Sequence, residues 1–67
     1  MIEIELNGER RTVDDRRTVQ ELVAELELAG KACAVAVNRE VVPREQWSQR
    51  LLQAADRVDI VRAIGGG

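Results

Sequence analysis

Met1-Ile2-Glu3-Ile4-Glu5-Leu6-Asn7-Gly8-Glu9-Arg10-Arg11-Thr12-Val13-Asp14 is the stretch that decides the fold. Ile2, Ile4 and Leu6 alternate with Glu3 and Glu5, the two-residue period of a strand with one buried and one wet face. Asn7-Gly8 is the preferred two-residue hairpin turn, because both central residues of that turn take positive φ. A return strand is expected over roughly residues 9–14, with Thr12 and Val13 as its β-branched members.

Beyond the hairpin, Thr18-Val19-Gln20-Glu21 reads as a capping box, the Thr18 hydroxyl and the Glu21 carboxylate each serving the other's amide. Val19, Leu22, Val23 and Leu26 follow as one helical stripe, with Glu25 and Glu27 on or near the wet side. Gly30 is the expected C-cap, with Lys31 at the negative end of the dipole. Residues 33–38 form a strand of small residues, Asn38-Arg39-Glu40 turns the chain into Val41-Val42, and Pro43 ends that short strand. A helical turn within residues 44–52 is expected to place Trp47 and Leu51 against the core. Ala54-Ala55-Asp56 then leads into the alternating segment Val58-Asp59-Ile60-Val61-Arg62-Ala63-Ile64.

The element order is β-β-α-β-(short β)-β. The first and last strands can lie side by side and parallel, with the helix as a right-handed crossover between two antiparallel hairpins. One main helix over one face of a mixed sheet of four or five strands is an α+β roll, the ubiquitin-like β-grasp layout. The expected division is a β-grasp domain over residues 1–64 and a flexible glycine tail over residues 65–67.

A chain of 67 residues is one domain near the lower size limit for folding without staples. Cys33 is the sole cysteine and histidine is absent, so neither an intrachain disulfide nor a histidine metal site is available. With no long apolar run and no basic-then-apolar leader, a reduced, cytoplasmic protein is expected rather than a membrane one. The net charge of −2 gives little attraction for phosphate backbones, and acids interleave the pairs Arg10-Arg11 and Arg16-Arg17. Without Phe or Tyr there is no stacking platform either, so nucleic acid is not an expected partner. Ser48 has no histidine to activate it, and Cys33 in an apolar strand reads as a core thiol. The terminal glycines have no following helix and no Lys-Ser/Thr element, so they are not a phosphate loop. Lys31, the single lysine, lies in no biotin or lipoate hairpin. Autonomous catalysis is not expected of these residues.

The working group is expected at the end of Gly65-Gly66-Gly67. Glycines lack Cβ atoms and can enter a channel that admits only backbone. From Ile64 to Gly67 a fully extended arm reaches roughly 13 Å. The working group is then the Gly67 carboxylate, received by the active site of another protein, with a frayed end as the alternative. Val61 and Ala63 alternate with Val58, Ile60 and Ile64 and are expected to face away from the helix. Together with Ala36 they make a candidate apolar docking patch, although a one-residue register slip reverses that assignment.

Over essentially its whole length the chain resembles the ThiS family of thiamine-biosynthesis sulfur carriers. Asn38 followed by Val41-Val42-Pro43-Arg44-Glu45-Gln46-Trp47 is similar to the family's N…VPR…W segment, and Val-Arg-Ala-Ile-Gly-Gly-Gly to its diglycine-ended strand. Ala55 stands where the family often has Gly, and Gly65 where it often has Ala. The resemblance implies that a ThiF-like adenylyltransferase uses ATP to convert the Gly67 carboxylate into an acyl adenylate. A free carboxylate, with a reference pKa of about 3.5, is a poor electrophile until so activated. A sulfur donor protein would replace AMP, and the Gly67 thiocarboxylate would supply sulfur to a ThiG-like thiazole synthase. ATP and metal belong to the partner's site, so this chain needs no cofactor of its own and is expected to be a monomer when free. Gly65 and Gly66 are the access arm. Pro43 and Trp47 either fix a turn and fill a small core or touch a partner. The competing classes are a molybdopterin-synthase small-subunit type of carrier, a ubiquitin-like modifier and a plain interaction module with an incidental tail.

Overall fold

The structure, a computed structural model, describes residues 1–28 and 30–62. The elements run β1 (Ile2–Leu6), β2 (Glu9–Val13), α1 (Val19–Glu25), β3 (Cys33–Val37), β4 (Glu40–Val42), a 3-10 turn (Arg44–Gln46) and β5 (Arg57–Arg62). The strands make one mixed sheet in the order β2-β1-β5-β3-β4, with β1 and β5 parallel and every other pair antiparallel. This is the expected β-grasp roll. Asn7 (φ 49°) and Gly8 (φ 85°) form the first hairpin turn, and Asn38 (φ 52°) and Arg39 (φ 70°) the second. Both fit the right-handed twist of the flanking strands.

The capping box at Thr18 is formed: the Glu21 amide donates to Thr18 Oγ1 at 3.1 Å and the Thr18 amide to Glu21 Oε1 at 3.0 Å. The hydrogen bonds from the Thr18 backbone and hydroxyl, in that order, hold the Glu21 carboxyl below its ordinary pKa. Their contribution to the helix is therefore complete above the usual glutamate range and is lost as pH falls through the lowered value.

The helix ends at Glu25, with Leu26 rather than Gly30 as its C-cap. Glu27 takes the left-handed position (φ 62°), its amide donating to Ala24 O and the Leu28 amide to Val23 O, both at 3.0 Å. That is the Schellman pattern with a non-glycine residue in the strained place. The early stop has a packing reason. Leu28 lies about 200° around a helix from Leu26, off the apolar stripe, and unwinding at Glu27 brings both against the core.

The core is built from Ile4, Val13, Val19, Leu22, Val23, Val35, Val37, Val42, Trp47, Leu52, Val58 and Ile60. The expectation that Leu51 packs inward is corrected: Leu51 is 46% exposed and Leu52 is buried. The helical turn closes with the Gln49 and Arg50 amides both donating to Gln46 O at 3.0 Å, and from there the chain runs extended beside residues 17–19. The Leu52 amide donates to Arg17 O, the Val19 amide to Arg50 O, and Thr18 bridges Leu51. In an extended segment adjacent side chains point opposite ways, so only one leucine of the pair can enter the core.

Asp56 is a buried charged residue held on several sides. Its Oδ1 accepts from Asn38 Nδ2 at 3.1 Å, its Oδ2 from the Gln53 amide at 2.8 Å, and Arg50 Nη2 lies 3.8 Å from that oxygen. Ala55 just before it sits at φ 70°, a conformation costing a side-chain-bearing residue about 1–2 kcal/mol. Glycine removes that strain but adds unfolded-state entropy of about 0.5–1 kcal/mol. Ala55→Gly is expected to stabilise the domain by up to about 1 kcal/mol, raising Tm by about 4–8 °C. A lower melting temperature in a calorimetric scan contradicts this account of the turn.

Candidate functional site

β5 is the central strand and the root of the terminal segment. Along one edge it pairs with β3 from Val37↔Val58 to Cys33↔Arg62. Along the other it pairs with β1 only at Glu5↔Arg57 and Leu6↔Val58, because β1 ends at the Asn7-Gly8 turn. Ala63, Gly65, Gly66, Gly67 and the expected domain boundary after residue 64 lie outside the described residues.

The sheet has a helix-covered face and an outer face, and the ladder register sorts the residues between them. Val58 and Ile60 are buried under the helix, so Arg57, Asp59 and Val61 face outward. Opposite Val61 stands Ala34, opposite Asp59 stands Ala36, and opposite Ala36 on the far side stands Val41. Val61 is 67% and Val41 72% exposed. The outer face is thus divided. Its β3-β4 side, with the end of β5, carries Val61, Ala34, Ala36 and Val41. Its β1-β2 side carries Glu3, Glu5, Arg10 and Thr12, with Arg57 Nε 3.7 Å from both Glu5 Oε2 and Asp59 Oδ2.

Val61 and Ala36 therefore share an apolar outer patch, as the alternation suggests, and Val41 completes it. Val41 has a signal of its own in the sequence, since two consecutive valines in a strand cannot both point inward. Met1, Val41, Leu51 and Val61 are the exposed large hydrophobics among the described residues, and two of the four, Val41 and Val61, lie on this outer face.

The VPR…W segment does structural work. Trp47 is buried, and its Nε1 donates to Val42 O at 2.8 Å. The Arg44 guanidinium lies over the indole, 5.0 Å from its centroid, and donates to Lys31 O at 3.0 Å. The Gln46 amide closes the turn onto Pro43 O at 2.8 Å. Asn38 belongs to the same framework, its Oδ1 accepting from the Arg57 amide at 3.0 Å. Cys33 is half-buried against the core, in keeping with a packing thiol. No metal-ligand cluster occurs among the described residues, and none of their helices is long and apolar enough to cross a membrane. What the fold offers is a central strand aimed at a terminal segment, beside an apolar patch.

The ThiS family profile matches residues 4–67. The chain belongs to the ThiS family. It is 39% identical over 51 residues to the sulfur carrier protein ThiS of Escherichia coli K12, a match covering 76% of this chain and 77% of that one. The crystal structure of a thiamine biosynthesis protein (ThiS) from Geobacter metallireducens superposes with a TM-score of 0.82 at 30% identity, covering 98% of this chain and all of that one. A thiazole synthase of Paramagnetospirillum magneticum is 37% identical over 62 residues, 92% of this chain but only 19% of the longer protein. The ThiS match takes in the Asn38 framework, the Trp47 turn, the apolar patch and the terminal glycines together.

Proposed function

We propose that Gly67 carries sulfur as a C-terminal thiocarboxylate. The chain is a sulfur carrier protein of thiamine biosynthesis, a co-substrate of partner enzymes and not itself an enzyme. The observation that carries this reading is ThiS membership over residues 4–67, which extends through the glycines. Activation needs a leaving group on the carboxyl carbon. A ThiF-like adenylyltransferase supplies it by joining the Gly67 carboxylate to AMP and releasing pyrophosphate. Sulfur from a donor protein then displaces AMP. ATP is bound by that partner, and Gly65 and Gly66 form the narrow arm that reaches it. Thiazole synthase, the receiver of the sulfur, is the partner supported by the ThiS-like region inside a longer protein of that name. Docking uses the Val61, Ala36 and Val41 patch, with Ala63 as a further candidate from the sequence, because an apolar surface on the strand that leads to the tail holds the carrier while the arm is threaded. A reduced cytoplasmic setting suits a chain with one unpaired cysteine.

Incubation with the adenylyltransferase, ATP and the sulfur donor is expected to give an oxygen-to-sulfur mass increase that maps to Gly67. Val61→Asp, on an exposed site, should melt like wild type and raise the KM for adenylation. Absence of thiocarboxylate in a reconstitution that loads a control ThiS overturns the assignment, and an unchanged KM for Val61→Asp removes the patch from docking.

A further inference from the structure

β5 leaves the protection of β1 just where it becomes the root of the tail. The Glu5 amide donates to Asp56 O and the Asn7 amide to Val58 O, each at 2.9 Å. The next rung of a parallel ladder would run from the Ile60 amide to the main-chain carbonyl of residue 7. At residue 7 the chain is already turning back through φ 49°. The Asn7 side chain supplies the rung instead: the Ile60 amide donates to Asn7 Oδ1 at 2.8 Å. Asn7 thus grips β5 twice, through its own amide at Val58 and through its carboxamide oxygen at Ile60. Past Ile60 no β1 residue remains to pair, and β5 continues to Arg62 held by β3 alone.

We propose that Asn7 is a positioning residue for the carrier tail, its side-chain oxygen fixing the point at which β5 departs from β1. The hairpin turn does not by itself require asparagine, since glycine also takes the conformation. The interaction with Ile60 does require an acceptor. Removing it frees one edge of β5 from Val58 onward and leaves the arm anchored two residues earlier on that side. A partner that captures the tail from a single direction then meets the competent arrangement in a smaller share of encounters, which raises apparent KM without changing the chemical step. The effect reaches at most on the order of five-fold, the factor one net hydrogen bond is worth in an equilibrium.

This inference rests on adenylation of Gly67, and the wild-type reaction in the same assay tests that reading separately. Asn7→Gly keeps the turn and deletes the acceptor, whereas Asn7→Asp keeps both. Thr18→Ala weakens the fold at the helix cap, away from β5, and controls for lost stability. The measurements are steady-state kinetics with the adenylyltransferase well below the melting temperatures, and hydrogen exchange of the Ile60 amide. Asn7→Gly is expected to raise KM by up to about five-fold at unchanged kcat and to lose Ile60 protection, with Asn7→Asp and Thr18→Ala near wild type. A wild-type KM for Asn7→Gly, an equal rise for Asn7→Asp, or an equal rise for Thr18→Ala overturns it.

Discussion

Trp47→Ala is expected to remove most of the folding free energy of this domain. The indole is buried beneath the sheet-to-turn connection, and truncating a buried tryptophan costs about 3–5 kcal/mol. Three further interactions go with it: the hydrogen bond to Val42 O, the Arg44 guanidinium over the ring, and the geometry of the turn from Pro43. At roughly 0.05–0.15 kcal/mol per residue, a domain of this length has only about 3–10 kcal/mol to lose. Urea denaturation followed by far-UV circular dichroism should show the variant largely unfolded in water. Trp47→Phe, which keeps a ring but leaves Val42 O without its donor, should fall between the two, and refolding at low temperature allows its adenylation to be measured. If Trp47→Ala melts like wild type yet is not adenylated, the residue belongs to a partner interface.

The same residue shows how far the sequence could be read. Alternation in Ile2-Glu3-Ile4-Glu5-Leu6, the Asn7-Gly8 turn and the Thr18-Glu21 capping box are local signals, each set by a few neighbouring residues, and each is present in the structure. The stop of the helix was not legible. Gly30 is the better left-handed residue, yet Glu27 takes that position because Leu28 must turn back to the core. Tertiary packing outweighs the local preference there. Leu51 faces out and Leu52 faces in for a related reason: their facing depends on where a short helical turn gives way to extended chain. The outer patch was only half visible. Val61 and Ala36 followed from β5 and β3 parity, but Val41 needed the β3-β4 register. The Asn7–Ile60 hydrogen bond spans 53 positions and left no trace in local pattern.

Gly66→Val is expected to separate folding from function more sharply than any change in the core. Residue 66 lies four positions beyond Arg62, the last residue of β5, and its substitution changes none of the described core residues. Thermal unfolding should match wild type. Adenylation should not. A channel shaped for bare backbone has no room for a β-branched side chain, which also removes backbone conformations available to glycine. Displacing the carboxylate by about 1 Å from its line of attack on ATP is enough to cost on the order of 100-fold in rate. A second change isolates the chemistry from the steric argument. One glycine added after Gly67 leaves the arm slim but converts the Gly67 carboxylate into an amide. Thiocarboxylate should then be absent from Gly67 altogether, while sulfur on the added residue would mean that the channel tolerates a longer arm. Pyrophosphate release and intact mass, measured together, distinguish these results. A Gly66→Val chain that is adenylated at the wild-type rate would show that the tail is received in an open groove, and that the glycines serve reach without narrowness.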